Sequence, residues 1–427
     1  MPPFAAPHPA PPRPPRVVVA GVGLITPLGF SAWETFAALL AGRRITDRID
    51  QLEDGTEPLP LAQAVGGVTV GRHTATDPAI DLAERAAREA ATEAGVELDG
   101  LATWLGTSKG AVGAMCDLGF RLSGLGEKQL PRRLVEAVTL GPHGYLEHHL
   151  RQRTGVDVRR HTVAACASSL TALHQARQAL LRSTPASSNA DAALVVTSEA
   201  ALLPAFVASY RRLGVLAPMT LDGYRSRPLA ETRDGFVLAE VGAAVLLRRL
   251  EPGEAPRPGQ IELVDTAIAT EAVDLIRPSG SMEALGRVAQ QIIASRPIAA
   301  LHPHATGTVD HDPRELAVLG DVLRMRPDPL HEDTSGGAPA VYANKGALGH
   351  TLGSAGLVSL ILACLSARTG KLPPMPWLDE PAQVMRPTPL PVSATPAIAP
   401  AHRHAGHAVF AAGFGGHVAA ALVQRSG

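Results

Sequence analysis

Only three cysteines occur among the 427 residues, at positions 116, 166 and 364, and no two of them form a CxxC motif. An odd, sparse set of this kind excludes a disulfide framework and favours a reduced, cytoplasmic setting. No apolar run reaches the ~18 residues of a membrane span, and the N-terminus lacks the basic-then-apolar order of a secretion signal. We therefore expect a soluble protein with no membrane contact.

Aromatic residues are also scarce, at 4% of the sequence, so stacking on the bases of single-stranded nucleic acid is not favoured. Lys and Arg number 39 against 40 Asp and Glu, so no global field draws the chain onto nucleic acid or anionic lipid. The sequence does contain 45% hydrophobic and 19% charged residues, which is typical of a globular protein with a sizeable core.

The N-terminal residues 1–15 are so rich in proline that we predict a disordered tail there. Strand and helix patterns alternate from Arg16 onwards, which predicts a layered α/β fold. Helices are expected from a Ser31 cap to Leu40, and from Pro78 to Ala94 with Gly95 ending the second. Buried strands are expected at 17–20, 101–105, 163–165, 192–197, 241–247, 261–270, 298–301 and 340–343.

A stretch rich in proline and glycine, residues 251–259, separates two parts of the chain with a similar order of elements. The strand predicted at Ile261–Thr270 repeats the opening strand, and helices and strands follow it again. We therefore predict two similar halves, residues 16–255 and residues 256–427.

Cys166 is the first candidate for chemistry, because a predicted strand runs into it and a predicted helix follows at once. Free N–H groups and the dipole at a helix N-terminus favour a thiolate, and the small neighbours Ala165 and Ala167 leave room for an acyl group. A buried structural thiol is the alternative, and we assign it to Cys116 and Cys364.

Two histidines, His304 and His350, occur in matching contexts far downstream. Each follows a predicted strand and lies in a turn rich in glycine or small residues. Asp312 and Glu315 follow His304 by eight and eleven residues, and Lys345 precedes His350 by five. Two histidines in such contexts, together with a cysteine at a helix N-terminus, predict that the three side chains form one active site.

These segments resemble the β-ketoacyl synthases, the condensing enzymes of fatty-acid and polyketide assembly. The motifs Thr26-Pro27-Leu28-Gly29, Arg233-Asp234-Gly235-Phe236 and Gly413-Phe414-Gly415-Gly416 match as well, so the resemblance spans residues 16–427. It implies a thiolase-like α/β fold, in which two βαβαβαββ halves form five αβαβα layers and the first half dimerises. The implied reaction is decarboxylative Claisen condensation of a carrier-bound acyl chain with malonyl carrier protein.

By the same resemblance, Cys166 would carry the acyl chain as a thioester, while His304 and His350 would hold the malonyl thioester carbonyl. The backbone N–H groups of Cys166 and Phe414 would stabilise the tetrahedral oxyanion. Lys345 would pair with Glu315 and orient the site.

The remaining implied roles concern support and substrate binding. Asp312 would join Glu315 as structural support, and Thr306 and Thr308 would bind the phosphopantetheine arm. Phe414, with Gly415 beside it, would gate the acyl chain. No metal and no cofactor is expected except the phosphopantetheine that the carrier brings.

An acyl carrier protein is the expected partner, with a homodimer or a heterodimer with a related ketosynthase or chain-length factor. A candidate docking patch contains seven basic residues in one region of the sequence: Lys128, Arg132, Arg133, Arg151, Arg153, Arg159 and Arg160.

The sequence departs from the family at Ala305 in place of glycine, Ala412 in place of an aromatic residue and His417 in place of threonine. These differences favour a specialised polyketide, polyene or fatty-acid pathway. Two other functions stay open: a non-elongating chain-length subunit, and an acyl hydrolase or acyltransferase. The second draws support from Gly106-Thr107-Ser108-Lys109-Gly110, which matches the GxSxG elbow of α/β-hydrolases. Gly21-Val22-Gly23 lacks the third glycine of a dinucleotide site, so no nicotinamide is expected.

Overall fold

The computed structural model describes residues 15–45, 49–51, 60–62, 77–116, 132–183, 191–218, 226–251, 253–274, 279–325, 338–378, 384–386, 388–399 and 404–427. The helices are α1 (Ala32–Leu40), α2 (Pro78–Ala94), α3 (Arg132–Thr154), α4 (Ser168–Arg182), α5 (Pro204–Arg212), α6 (Glu283–Ile293), α7 (His311–Arg324), α8 (Lys345–Leu348) and α9 (Ala355–Thr369). Short 3-10 helices cover Leu352–Ser354 and Pro376–Leu378. Of the predicted N-terminal tail, residues 1–14 lie outside the described residues.

The strands are β1 (Arg16–Ile25), β2 (Ile49–Gln51), β3 (Pro60–Ala62), β4 (Ala102–Gly106), β5 (Asp157–Thr162), β6 (Ala192–Glu199), β7 (Val241–Leu250), β8 (Ile261–Thr270), β9 (Ile298–His302), β10 (Ala340–Val341), β11 (Gly406–Gly413) and β12 (His417–Arg425). Apart from the β2–β3 pair, they form one sheet in the order β10-β9-β11-β12-β8-β1-β7-β6-β4-β5.

This sheet consists of two copies of one pattern. In the first half, β4 pairs in parallel with β5 and β6, and β7 pairs antiparallel with β6 and β1. In the second half, β9 pairs in parallel with β10 and β11, and β12 pairs antiparallel with β11 and β8. Among the described strands, the two copies pair where Val18 and Val19 of β1 face Glu262 and Ile261 of β8. The strand order and strand directions of the first half therefore repeat in the second.

Two helices fill the space between the two halves of the sheet. Helix α4 contacts β4 and β6 of the first half and β8 and β12 of the second, while α9 contacts β11 and β12 and also β7 and β1. Helix α2 covers the outer face of β1 and β7, and α6 and α7 pack together outside β8 and β12. This arrangement gives five layers, helix, sheet, helix, sheet, helix, and confirms the thiolase-like α/β fold class.

Helix α9 and the 3-10 turn before it have the length and mean hydropathy of a membrane-spanning helix, over Leu352–Thr369. The expectation that no stretch reaches this length is therefore wrong. The segment is 89% buried inside the protein, and it packs against both halves of the sheet. Burial of this extent is typical of the central helix of a folded core, which is apolar on every side.

Local signals placed several elements correctly. The Ser31 side chain accepts a hydrogen bond from the Glu34 N–H at the start of α1, and α2 ends at a left-handed Gly95 as expected. The strand predicted at 163–165 is wrong, because β5 ends at Thr162 and Val163 is 55% exposed.

Gly21 and Gly23 have a packing role. A Cβ at either position would lie about 2 Å from a backbone oxygen of α2, the carbonyls of Ala90 and Ala86. Glycine therefore lets α2 approach β1 closely, which accounts for the glycines of the incomplete dinucleotide motif.

Candidate active site

Cys166 lies in a tight elbow between β5 and α4. Ser168, at the first position of α4, holds the elbow: its hydroxyl accepts a hydrogen bond from the Ala164 N–H at 2.8 Å and donates to the Ala165 carbonyl at 2.6 Å. Ala165 has a φ of +47°, an uncommon conformation for a residue with a Cβ. The elbow places Cys166, which is 8% exposed, directly before the N-terminus of α4.

His304 follows β9, and its backbone is held from two sides. The Glu315 carboxylate, on α7, accepts hydrogen bonds from the His304 and Ala305 N–H groups at 2.6 and 2.7 Å. The Lys345 ammonium, at the start of α8, donates to the His304 carbonyl. Glu315 and Lys345 are both buried, and their bonds hold the His304 backbone at the end of the strand.

His350 lies between α8 and the 3-10 turn that precedes α9. The Leu352 N–H donates to Nδ1 of His350 at 3.2 Å. A neutral ring that accepts at Nδ1 carries its proton on Nε2, so this bond assigns the tautomer. The ring also packs edge-on against Phe236 at a centroid distance of 4.7 Å. His350 can therefore donate a hydrogen bond through Nε2.

The three candidate side chains meet in one chamber. The Cys166 sulfur and one ring nitrogen each of His304 and His350 lie within 4.8 Å of one another, and all three residues are buried. The two rings make an edge-to-face pair at 5.4 Å. They line a cavity of about 280 Å³. The chamber can hold a thioester carbonyl in contact with the sulfur and both rings.

Backbone strain is concentrated around this chamber. In the described part of the chain, five residues other than glycine have a positive φ: Ala165, Leu229, Met282, Ala305 and Leu352. Three of them lie within two residues of Cys166, His304 or His350. Met282 lines the cavity, and the Leu229 N–H is held by Asp312. Strain of ~1–3 kcal/mol per residue persists where the surrounding structure enforces it, and it is frequent at functional sites.

Burial sets the charge states in the chamber. It lowers the pKa of His304 and of His350 well below the ordinary value, and nearby Lys345 and His311 lower both further. Burial also raises the pKa of Cys166 to about 12, although Lys345 partly offsets this. The histidines are therefore neutral at physiological pH. Burial at this sulfur therefore opposes the thiolate that the helix N-terminus was expected to favour.

Lys345 and Glu315 act on the same residue, but they do not form the expected direct pair. Lys345 bonds the carbonyl of His304, whereas Glu315 bonds its N–H and lies 3.3 Å from His311. Burial lowers the pKa of Lys345 to about 8, against the opposing effect of the Glu315 charge. The two charges therefore hold the His304 backbone between them.

The other predicted site residues also lie around the chamber. Asp312 accepts hydrogen bonds from the Gly307 and Leu229 N–H groups at 3.0 and 2.9 Å, which holds the turn after His304. Thr306 and Thr308 line the cavity, with their hydroxyl oxygens 2.9 Å apart. Phe414 also lines the cavity, and Gly415, with a φ of +80°, follows it in the hairpin turn between β11 and β12.

Sequence reasoning did not identify several residues of this region. Tyr210 and His311 line the cavity, and Glu199 is fully buried at the end of β6. Glu199 accepts a hydrogen bond from the Ser108 N–H, and burial raises its pKa to about 7. Neither His311 nor Glu199 has a motif of its own. The available sequence signal was the four-residue spacing of His311 and Glu315, which places both on one face of a helix.

Ser108 of the GxSxG motif does not line the chamber that contains the histidines. Its N–H instead bonds the buried Glu199 carboxylate. A cysteine and two histidines are donors that zinc accepts, and Cys166, His304 and His350 are the residues here that could hold such an ion. Near the C-terminus, His404 is exposed and His407 is buried against His302.

Comparison with known families identifies two matching regions. The profile described as "Beta-ketoacyl synthase, N-terminal domain" matches residues 15–253, and that described as "Beta-ketoacyl synthase, C-terminal domain" matches residues 262–379. Together these matches cover most of the chain.

Similar curated proteins include 3-oxoacyl-[acyl-carrier-protein] synthase 2 of Rhizobium meliloti, which is 26% identical over 86% of this chain and 90% of its own length. The protein of the same name from Coxiella burnetii is 24% identical over 86% of this chain and 89% of its own.

Similar solved structures include the ishigamide ketosynthase/chain length factor, with a TM-score of 0.77, 20% identity and coverage of 97% of this chain and 100% of that one. A type II polyketide synthase acyl-carrier protein in complex with its ketosynthase matches with a TM-score of 0.77, 19% identity and the same coverage. These structures share the fold.

Proposed function

The chain belongs to the β-ketoacyl synthases, acyl-transferring condensing enzymes, and on that premise we propose how its own residues join an acyl chain to a malonyl unit. The observation that carries the proposal is the meeting of the Cys166 sulfur with one nitrogen each of His304 and His350 within 4.8 Å in a buried chamber. A structural thiol would need neither histidine beside it.

The first step transfers the acyl chain from its carrier to Cys166. The sulfur attacks the thioester carbonyl, the bond to the carrier's pantetheine sulfur breaks, and the Cys166 proton ends on the departing thiol. Because burial raises the pKa of Cys166, the thiol gives up this proton only as the acyl group arrives.

The second step generates the nucleophile from malonyl carrier protein. The bond between the α-carbon and the carboxylate breaks, and CO2 leaves. The electron pair of this bond stays with the α-carbon and forms an enolate, whose oxygen becomes negative. His350 donates to this oxygen through Nε2, the tautomer that its bond from the Leu352 N–H sets. His304 lies beside it as the second neutral donor. Preorganised donors of this kind stabilise a developing charge, and removal of one costs roughly 3 kcal/mol.

The third step forms the carbon–carbon bond. The enolate carbon attacks the Cys166 thioester, and the carbonyl oxygen becomes an oxyanion. The bond to sulfur then breaks, the 3-oxoacyl chain leaves on its carrier, and the sulfur keeps the electron pair and takes up a proton from solvent to restore the Cys166 thiol. The backbone N–H groups of Cys166 and Phe414 are the proposed oxyanion donors. Gly413 lies against the Cys166 nitrogen, which brings the hairpin turn to the elbow.

The remaining site residues act through binding and support. We assign Thr306 and Thr308 to the phosphopantetheine arm, and Phe414 with Gly415 to the mouth of the acyl site. Lys345, Glu315 and Asp312 hold the His304 turn. No cofactor is required beyond the phosphopantetheine that the carrier supplies.

An acyl carrier protein is the proposed substrate-bearing partner, because one similar solved structure contains a ketosynthase with its carrier. The basic patch expected from the sequence gains no support as its docking site. Arg132, Arg151, Arg153 and Arg159 are each paired with acidic side chains. Lys128 and the Arg133 side chain lie outside the described residues.

A homodimer or a heterodimer with a related ketosynthase or chain-length factor would form through the first half. Two observations support this. Strand β5 lies at one end of the sheet, and Val163, directly after it, is 55% exposed. On α3, Val135 and Val138 are 50% and 53% exposed.

We also propose that residues 16–255 and 256–427 are the two halves of the enzyme, and that it works in the cytoplasm. The three cysteines, all unpaired, suit a reducing compartment. A specialised polyketide, polyene or fatty-acid pathway is proposed from Ala305, Ala412 and His417, which differ from the family motif around the chamber.

The deciding experiment follows both half-reactions with purified protein, carriers loaded with acyl groups of several lengths, and malonyl carrier. Intact mass reports acylation, and released CO2 reports condensation. We expect acylation at Cys166 in the wild type, and loss of acylation and condensation in Cys166→Ala. Cys116→Ala removes a thiol outside the chamber and is the matched control, expected to keep both.

Three outcomes would contradict the proposal. An acyl group on Ser108 would favour the hydrolase or acyltransferase. Hydrolysis of the Cys166 thioester without CO2 release would do the same. A wild-type protein that neither acylates nor condenses would favour a non-elongating chain-length subunit, which the presence of Cys166 otherwise disfavours.

A further inference from the structure

One histidine in the chamber wall has no role in the reaction described above. His311 is the first residue of α7, and its side chain is 12% exposed at the cavity. Its ring stands edge-on to the His304 ring at a centroid distance of 5.3 Å. On its other side, Nε2 lies 3.3 Å from a Glu315 carboxylate oxygen. His311 therefore lies between the ring of His304, a proposed enolate donor, and the Glu315 carboxylate that holds the His304 backbone.

Glu315 needs a positive partner in this position. Its side chain is 1% exposed, and its two oxygens bond the backbone N–H groups of His304 and Ala305. These bonds hold Ala305 at a φ of +32°, so they stabilise a strained turn. A buried carboxylate is costly without a paired charge. Since Lys345 is committed to the His304 carbonyl, His311, with Nε2 at 3.3 Å from a Glu315 oxygen, is the residue placed to balance this charge.

The charges around His311 come from several elements. Glu315 and Asp312 face it from α7, Lys345 from α8, and the neutral rings of His304 and His350 from the loops after β9 and α8. Burial lowers the pKa of His311, but the ion pair with Glu315 and the Asp312 charge outweigh burial and raise it. The His311 charge in turn helps to lower the pKa of His304.

We propose that His311 is a positioning residue for the decarboxylation step. Its imidazolium balances Glu315, which holds His304 in its strained turn, and its charge adds to burial and to Lys345 in keeping His304 neutral and able to donate to the enolate oxygen. This inference rests on the proposed condensing function. It assigns His311 no contact with the acyl chain, so transfer to Cys166 should not depend on it.

The test compares His311→Gln, which removes the charge, with His311→Lys, which keeps a cation, and with the exposed His404→Gln as matched control. CO2 release from malonyl carrier is measured from pH 5 to pH 9, and Cys166 acylation is followed by intact mass. We expect His311→Gln to slow CO2 release roughly 10- to 100-fold while acylation changes less than about 3-fold. The acid limb of its rate profile should move to higher pH, because His304 protonates more readily once the His311 charge is gone.

His311→Lys should return the acid limb close to that of the wild type, and His404→Gln should match the wild type throughout. A profile of His311→Gln that superimposes on the wild type would overturn the inference. An equal loss of acylation and CO2 release would overturn it too, since it indicates a structural role. If the glutamine variant does not fold, His311→Lys decides alone: a displaced acid limb refutes the role of charge. A wild type without CO2 release refutes the condensing function itself, which distinguishes the two failures.

Discussion

Replacement of Gly413 by alanine tests whether the Cys166 elbow needs close contact with the hairpin turn. A methyl group on Gly413 would lie 2.8 Å from the Cys166 nitrogen, 2.9 Å from the Ala164 oxygen and 3.0 Å from the Ala165 Cβ. Ordinary contacts of a Cβ are 3.4–4 Å, so the closest distance must widen by about 0.6 Å. The two nearest atoms belong to the backbone and cannot rotate away, so the elbow and the turn must separate.

The expected effect has two parts. Overpacking of a rigid site costs about 1–3 kcal/mol of folding stability, which lowers Tm by a few degrees in a protein of this size. Separation also moves the Cys166 N–H, a proposed oxyanion donor, away from the developing charge. Loss of one such donor costs ~3 kcal/mol, so the rate of Cys166 acylation should fall roughly 100-fold.

Acylation kinetics by intact mass and thermal unfolding check both parts. Gly286→Ala is the matched control, because a methyl group on Gly286 in α6 lies 3.8 Å from its nearest neighbour. It should acylate like the wild type and be at least as stable, since alanine favours a helix. The reasoning is refuted if Gly413→Ala acylates at the wild-type rate, or if Gly286→Ala loses as much activity as Gly413→Ala.

Two further predictions concern pH. Burial raises the pKa of Glu199 from 4.5 to about 7, so folding stability falls as pH rises through this window. Glu199→Gln should therefore have an unfolding free energy up to roughly 3 kcal/mol above that of the wild type at pH 8, but not at pH 4. Denaturant unfolding measures this difference, and an equal difference at the two pH values would contradict the prediction. Burial lowers the pKa of His407 from 6.5 to about 4, so the folded state loses stability as pH falls from 6.5 to 4. His407→Gln should show a smaller drop in Tm between pH 7 and pH 5, and a drop as large as that of the wild type would refute the assignment.

Much of the fold was predictable because its signals are local. The Ser31 cap, and the Asp77 and Gly95 residues at the two ends of α2, determine helix limits within a few residues of chain. Strand β8 was predicted at its observed limits, Ile261–Thr270. Strand β5 was missed because its sequence, DVRRHT, is polar, as suits a strand at the end of a sheet. The apolar residues 163–165 after it form the elbow instead.

The candidate site, too, was predictable only where its signals are local. The sequence by itself identified Cys166, His304 and His350, because each lies in a recognisable motif at the end of an element. It also indicated the duplicated halves through their order of elements. These properties depend on residue type and on spacing along the chain.

Only the tertiary structure decided the charge states and partners of these groups. Desolvation raises the pKa of Cys166. The fold places Glu315 against the His304 N–H and against His311, while Lys345 bonds the His304 carbonyl. A pKa depends on burial and on charges that lie close in space but far apart in the chain. No local pattern encodes that environment, so it exists only once both halves have packed around the chamber.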